Sequence, residues 1–165
     1  MASMSFSMQI ADFIAKTKAS QDLVVRAITM KIAEEIDSRS PVGDATYWKS
    51  KPPPGYAGGR FRGNWQLSIG SPTAATLDRI DKDGSATMAA NGATIKTAKS
   101  GDVIYLVNNL PYARRIEEGW SGKAPIGVVA ITVVKFSVIV DNAVNGVRSG
   151  TTASEFAQGY STYKL

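Results

Sequence analysis

The chain has 165 residues, with 19 Lys and Arg against 14 Asp and Glu, and it contains no cysteine and no histidine. That length suits one domain with its own core. The missing residue types exclude disulfides, thiolate chemistry, the commonest general base near neutral pH and the usual transition-metal ligands.

Ile10, Phe13 and Ile14 suggest a short helical turn packed on the core. Ser20 and Asp22 are suited to cap the helix that follows. Val24, Ile28, Ile32 and Ile36 recur every four residues, while Arg26, Glu34 and Asp37 fall on the opposite side. The spacing predicts a one-faced amphipathic helix ending near Arg39, before Pro41. Residues 40–60 hold Pro41, Pro52, Pro53, Pro54 and four glycines, a composition that predicts a projecting loop.

Phe61, Trp65, Leu67 and Ile69 alternate with polar residues, as in a half-buried strand with Trp65 as core anchor. Gly63 marks a bulge or a close backbone approach. Residues 85–101 have the alanine content and spacing of a helix capped by Ser85 and ended by Gly101, although Asn91-Gly92 weakens the pattern. Asp81-x-Asp83-Gly84 hints at calcium, but the sixth and twelfth positions hold Ala86 and Gly92 where an EF-hand needs glycine and glutamate, so it is read as a turn.

Val103–Val107 is apolar on both faces, which predicts an internal strand. Pro111 opens a short helix over Tyr112–Glu118, and Gly119 ends it. Over 128–147 the pattern conflicts with the composition. Val129, Val133, Phe136, Val140, Ala143 and Val147 keep helical spacing, with Thr132, Ile139 and Val144 alongside, yet the segment is rich in β-branched residues. Length decides for one helix. The tail repeats Phe156, Tyr160 and Tyr163 at helical spacing, as an arm docking on this chain or a neighbour would.

No apolar run approaches the roughly 20 residues that span a bilayer. The N-terminus lacks the charged and apolar regions of a signal peptide. The expectation is a cytoplasm-like compartment and no membrane partner.

The positive excess concentrates at 41–70, where Lys49, Lys51, Arg60 and Arg62 stand against Asp44. Such a loop can meet nucleic acid, be solvated, or face an acidic neighbour protein. Catalysis finds little support. No histidine completes a triad, and Glu117 and Glu118 are adjacent, so on a helix they point about 100° apart. Gly55, Gly58 and Gly59 precede a strand and lack a P-loop ending. The expectation is no enzyme, no cofactor and no metal. What remains is a contact surface of Tyr112, Arg114, Arg115, Glu117, Glu118 and Trp120, residue types frequent at interfaces. A second reading stands beside it: Tyr112, Ile116 and Trp120, spaced by four, face the chain's own core while the charges are solvated.

"RSPVG…GGRFRGNW" (39–43 and 58–65), "NNLPYARRIEEGWSGKAPIG" (108–127) and the apolar helix after them resemble the tail-completion, or tail-to-head joining, proteins of long-tailed bacteriophages. There the first pattern reads Ser-Pro-Val, an acidic residue, Thr-Gly-Arg, then Arg-x-Ser/Asn-Trp. The second reads Asn-Asn-x-Pro-Tyr-Ala, Glu-x-Gly-Trp/His-Ser and Ala-Pro-x-Gly. The resemblance covers roughly Phe13 to Val144, with 108–127 its specific part. The chain departs from it by the long insertion "GDATYWKSKPPPGYAG" and by Lys123 in place of glutamine.

The resemblance implies a small α+β domain over 1–147, with an antiparallel or mixed sheet packed against two or three helices; from the chain's own residues, the 40–60 loop is expected to project from it and 148–165 to form a C-terminal arm. It implies a structural virion protein that forms a homo-oligomeric ring at the head–tail junction, of six copies or of twelve. Its partners would be itself, the tail tube protein and a head-side connector or stopper, with a passing contact with DNA. Its location would be the virion neck, after assembly in the host cytoplasm. The alternative is a basic nucleic-acid-binding module acting through 49–62.

Overall fold

A computed structural model describes residues 6–44, 51 and 54–150. Helix α1 (Phe6–Arg39) is followed by a 3-10 turn (Arg62–Asn64), β1 (Gln66–Ile69), α2 (Ser85–Ile95) and β2 (Ile104–Val107). Three further helices complete the order: α3 (Ala113–Glu117), α4 (Val129–Val134) and α5 (Phe136–Arg148). Among the described residues the architecture is α+β, five helices around a two-stranded antiparallel sheet with Gln66 opposite Val107 and Ile69 opposite Ile104.

The C-terminal half of α1 is the spine. Ile36 joins Phe61, Trp65, Leu110, Ile116, Ala124 and Val128 in the largest core cluster. Ala33 packs with Leu67 and Ile95, and Ala27 meets Ala143 of α5. The helix is therefore buried on several faces rather than one. Val24, Ile28 and Ile32 are only half-buried, while Asp37 is buried on the side expected to face solvent. There Arg26 donates its Nε–H to the Ala98 carbonyl at 2.7 Å. Elements arriving from residues 62–98 cover this polar side, which a single helix's periodicity does not foresee.

The expected short turn and separate helix form one continuous α1. Every described side chain from Ser7 to Gln21 is exposed, so Ile10 and Ile14 do not pack on the core.

Regular strand structure begins only at Gln66. Upstream, a Cβ on Gly63 would collide with the Arg79 carbonyl, and the Asn64 amide binds the Arg60 and Leu77 carbonyls at 2.8 and 2.9 Å. The chain therefore winds as a 3-10 turn, although Phe61, Trp65 and Leu67 are buried as expected. Among the described residues β2 has β1 as its one sheet neighbour, so there it is an edge strand and not the internal one expected. The free edge of β1 is paired by a side chain: Asn91 of α2 accepts from Leu67 N–H at 3.0 Å and donates to the Trp65 carbonyl at 3.2 Å. This explains an Asn-Gly inside a helix, since the amide stands in for a strand.

Asp81, not Ser85, caps α2. Its carboxylate accepts from the N–H groups of Gly84 and Thr87 at 2.9 and 2.7 Å. Helix α2 ends at Ile95, short of Gly101.

The long C-terminal helix is broken at Lys135 into α4 and α5. Lys135 reaches Glu35 of α1 at 3.3 Å and anchors the junction. The buried positions are Val128, Thr132, Ile139 and Ala143. Of the expected core stripe, Val129, Val133 and Phe136 are 36, 64 and 49% exposed, Val140 and Val147 are half-buried, and Ala143 is buried.

Candidate functional site

Residues 108–128 form an elbow between β2 and α4, and most of its polar side chains hold backbone. Asn108 donates to the Phe61 carbonyl at 2.8 Å. Asn109 donates to the Thr73 and Ala75 carbonyls at 2.8 and 3.0 Å. Tyr112 is half-buried with its ring 6.4 Å from Phe61, and burial pushes its phenol above the ordinary tyrosine range. Ile116 is buried.

Glu117 turns back to the N-terminus of α4. Its Oε2 accepts from Val128 and Val129 N–H at 2.9 Å each, and its Oε1 accepts from Ala130 N–H at 2.7 Å. Helix α4 has no capping side chain at Val128, so a carboxylate eleven residues upstream supplies the cap and the charge that complements a helix start. Burial works to raise the Glu117 pKa. The three N–H donors outweigh it and hold the carboxyl below the usual range. Gly127, with φ +78°, lies against this carboxylate, where a Cβ would come within 2.6 Å of Oε1. Glu117 is thus committed to the fold.

The exposed remainder is compact. Trp120 is 72% exposed, its backbone N–H donating to the Arg115 carbonyl at 3.0 Å and its ring covered by the Arg115 guanidinium at 5.5 Å. Arg114 and Glu118 form an exposed pair at 2.9 Å. Arg115, Glu118, Gly119 and Trp120 line a shallow open depression of about 440 Å³. Of the six elbow residues singled out by sequence, Arg114, Arg115, Glu118 and Trp120 lie at the surface, Tyr112 turns inward and Glu117 caps α4. Such an arrangement offers a stacked aromatic and both charges to a polypeptide partner.

The basic segment is dispersed. Lys49 lies outside the described residues, and Lys51 is exposed. Arg60 pairs with Asp78 at 2.9 Å. Arg62 is not on a projecting loop. Its Nη2 and Nε donate to one Asp37 oxygen at 2.6 and 2.9 Å, and its Nη1 donates to the Lys82 carbonyl at 3.0 Å. Both side chains are largely buried, 16 and 6% exposed. Burial raises the Asp37 pKa, although Arg62 pulls against it. At the base of the 40–60 loop, a Cβ on Gly58 would overlap the Gly43 carbonyl, so the two loop ends touch. Of the loop expected to project, residues 45–50, 52 and 53 lie outside those described. The aromatic positions of the arm, Phe156, Tyr160 and Tyr163, also lie outside them.

The sequence placed Asp81 in a turn and Asn91 as a weak point of a helix, and gave Asn64 no role; all three are buried and hydrogen-bonded. An asparagine within an otherwise apolar or small-residue stretch was the available signal.

Among the described residues no helix is long and apolar enough to cross a membrane. Comparison of the chain with known protein families, with curated proteins and with solved structures finds no match.

Proposed function

We propose that this protein is a structural virion component that assembles as a ring at the head–tail junction of a long-tailed phage, completing the tail and joining it to the head connector. The observation that carries the reading is Trp120, an exposed tryptophan held in place by Arg115 within the segment that resembles tail-completion proteins. A rigid aromatic braced by an arginine is the anchor expected of a protein-binding surface, because it loses little conformational entropy on docking. A ring also requires each copy to present two different surfaces, and the elbow is one candidate. The proposed partners are a second copy, the tail tube protein and a head-side connector. Binding to nucleic acid through 49–62 has no comparable support, since Arg60 and Arg62 are engaged by Asp78 and Asp37.

Trp120→Ala and Arg115→Glu test the reading in a particle-assembly assay. The expected result is folded protein with little incorporation into tails. If both variants build complete, joined particles, the elbow is not an interface and the reading loses its support.

A further inference from the structure

Trp120 and Arg115 carry hydrogen-bond donors that the fold does not use. Among the described residues, nothing accepts from the Trp120 indole N–H or from the Arg115 guanidinium, whose one contact is the Trp120 ring at 5.5 Å. The backbone donors beside them are spent. The N–H groups of Glu118, Gly119 and Trp120 donate to the Arg114, Ile116 and Arg115 carbonyls at 3.0, 3.1 and 3.0 Å. Glu118, the one acid lining the depression, accepts from Arg114 at 2.9 Å. Glu117, the other acid of the elbow, is taken up by the start of α4. The exposed charges over 113–127 are therefore Arg114, Arg115 and Lys123 against Glu118 alone.

We infer that the depression receives an acidic segment of a partner polypeptide. One carboxylate sits on the Arg115 guanidinium and the Trp120 indole N–H, and an apolar side chain lies on the open part of the Trp120 ring. The inference rests on the reading of the elbow as an interface and adds the chemistry of what it binds. Three features select this occupant. A guanidinium presents paired N–H donors that match one carboxylate, and the ring beneath it already fixes its position, so little freedom is lost on binding. A phosphate backbone fits less well. No free backbone N–H adds to the guanidinium, and the Glu118 carboxylate lines the same hollow, a repulsion that grows with the charge of the guest. A small free carboxylate also fits less well, because an open hollow does not enclose it, whereas a polypeptide continues past the rim. The chain's net charge of +5 favours encounter with an acidic partner.

Titration of the full-length chain with blocked peptides, followed by NMR at the Trp120 indole N–H and the Arg115 Nε–H, tests it. The probes are acetyl-Gly-Glu-Pro-Glu-Gly-amide, the same peptide with glutamine for both glutamates, and a short oligothymidine. The expected result is saturable movement of both resonances by the acidic peptide, with a Kd on the order of 1 mM. Its affinity should exceed that of the glutamine peptide at least about tenfold. Arg115→Gln should abolish that preference. Lys96→Gln, which removes an exposed cation just beyond α2, should leave it within about twofold. Four results overturn the inference. The first is no saturable shift with the acidic peptide up to about 10 mM. The second is equal affinity for the glutamine peptide. The third is equal weakening by Arg115→Gln and Lys96→Gln, which marks general charge attraction. The fourth is tighter binding of the oligothymidine at the same two resonances, which marks a nucleic-acid site. The two readings fail separately. Absence of the acidic preference while the Trp120 and Arg115 variants still fail to build particles strikes only this inference. Complete particles from those variants strike the head–tail reading and leave the peptide result standing.

Discussion

Glu117 separates a structural from an interfacial role for the elbow, and replacing it has a calculable effect. In Glu117→Ala, the N–H groups of Val128, Val129 and Ala130 lose their acceptor. Val129 and Ala130 are exposed, so water replaces most of what they lose, and the deficit is that of a missing helix cap, about 1 kcal/mol. Val128 is fully buried, and an orphaned buried donor adds about 1–2 kcal/mol. The expected loss is about 2–3 kcal/mol, or roughly 4–12 °C in Tm for a chain of this size. Glu117→Gln keeps an acceptor oxygen but not the charge, and should lose about half as much.

The pH dependence follows from the sign of the shift. The folded-state pKa of Glu117 lies below the ordinary value of 4.5. Its contribution is therefore complete above pH 4.5 and disappears as the pH falls through the lower folded-state value. The gap between the parent and Glu117→Gln should narrow in that window. Urea unfolding followed by circular dichroism from pH 7 to pH 3 measures it. If Glu117→Ala matches the parent within about 0.5 kcal/mol at pH 7, the size of an ordinary surface substitution, the capping role is wrong.

Four other perturbations have defined outcomes. Arg62→Ala leaves Asp37 buried without its partner and should cost about 3 kcal/mol at pH 7. The cost should shrink toward pH 4, where protonation neutralises the orphaned carboxylate, and urea unfolding at both pH values checks this. Gly84→Ala should be similarly damaging, because φ is +85° and the new Cβ would overlap Asp37 Oδ2; thermal unfolding reads it. Asn91→Ala removes the side chain that pairs the β1 edge and should cost about 2–3 kcal/mol, with faster amide exchange at Leu67. By contrast, Trp120→Ala should leave Tm within about 2 °C, as expected of an exposed residue outside the core.

The two apolar stripes of residues 128–147 show how far periodicity reaches. Helical spacing is satisfied equally by Val129, Val133 and Phe136 and by Val128, Thr132 and Ile139. Over α4 and the first turn of α5 the sequence favoured the more hydrophobic set, yet the chain buries the other; farther along, Ala143 of the favoured set is buried. Glu117 fixes the start of α4 and Lys135 ties its end to Glu35, so tertiary contacts choose which face turns inward.

The residues alone located α1, α2, the extended stretches at 66–69 and 104–107 and the helical character of 129–148, and they showed that Trp65 anchors a core and that 108–127 has an unusual composition. These follow from local spacing, turn residues and capping chemistry, which act over a few positions. Tertiary structure decided the partners of Asp37, Asn64, Asn91 and Glu117, the strand's late start and the separation of Glu117 from Glu118 in role. Such contacts join residues 11–26 positions apart. A carboxylate or amide has the same chemistry in water and in a cap, and only the folded chain brings the waiting N–H groups to it.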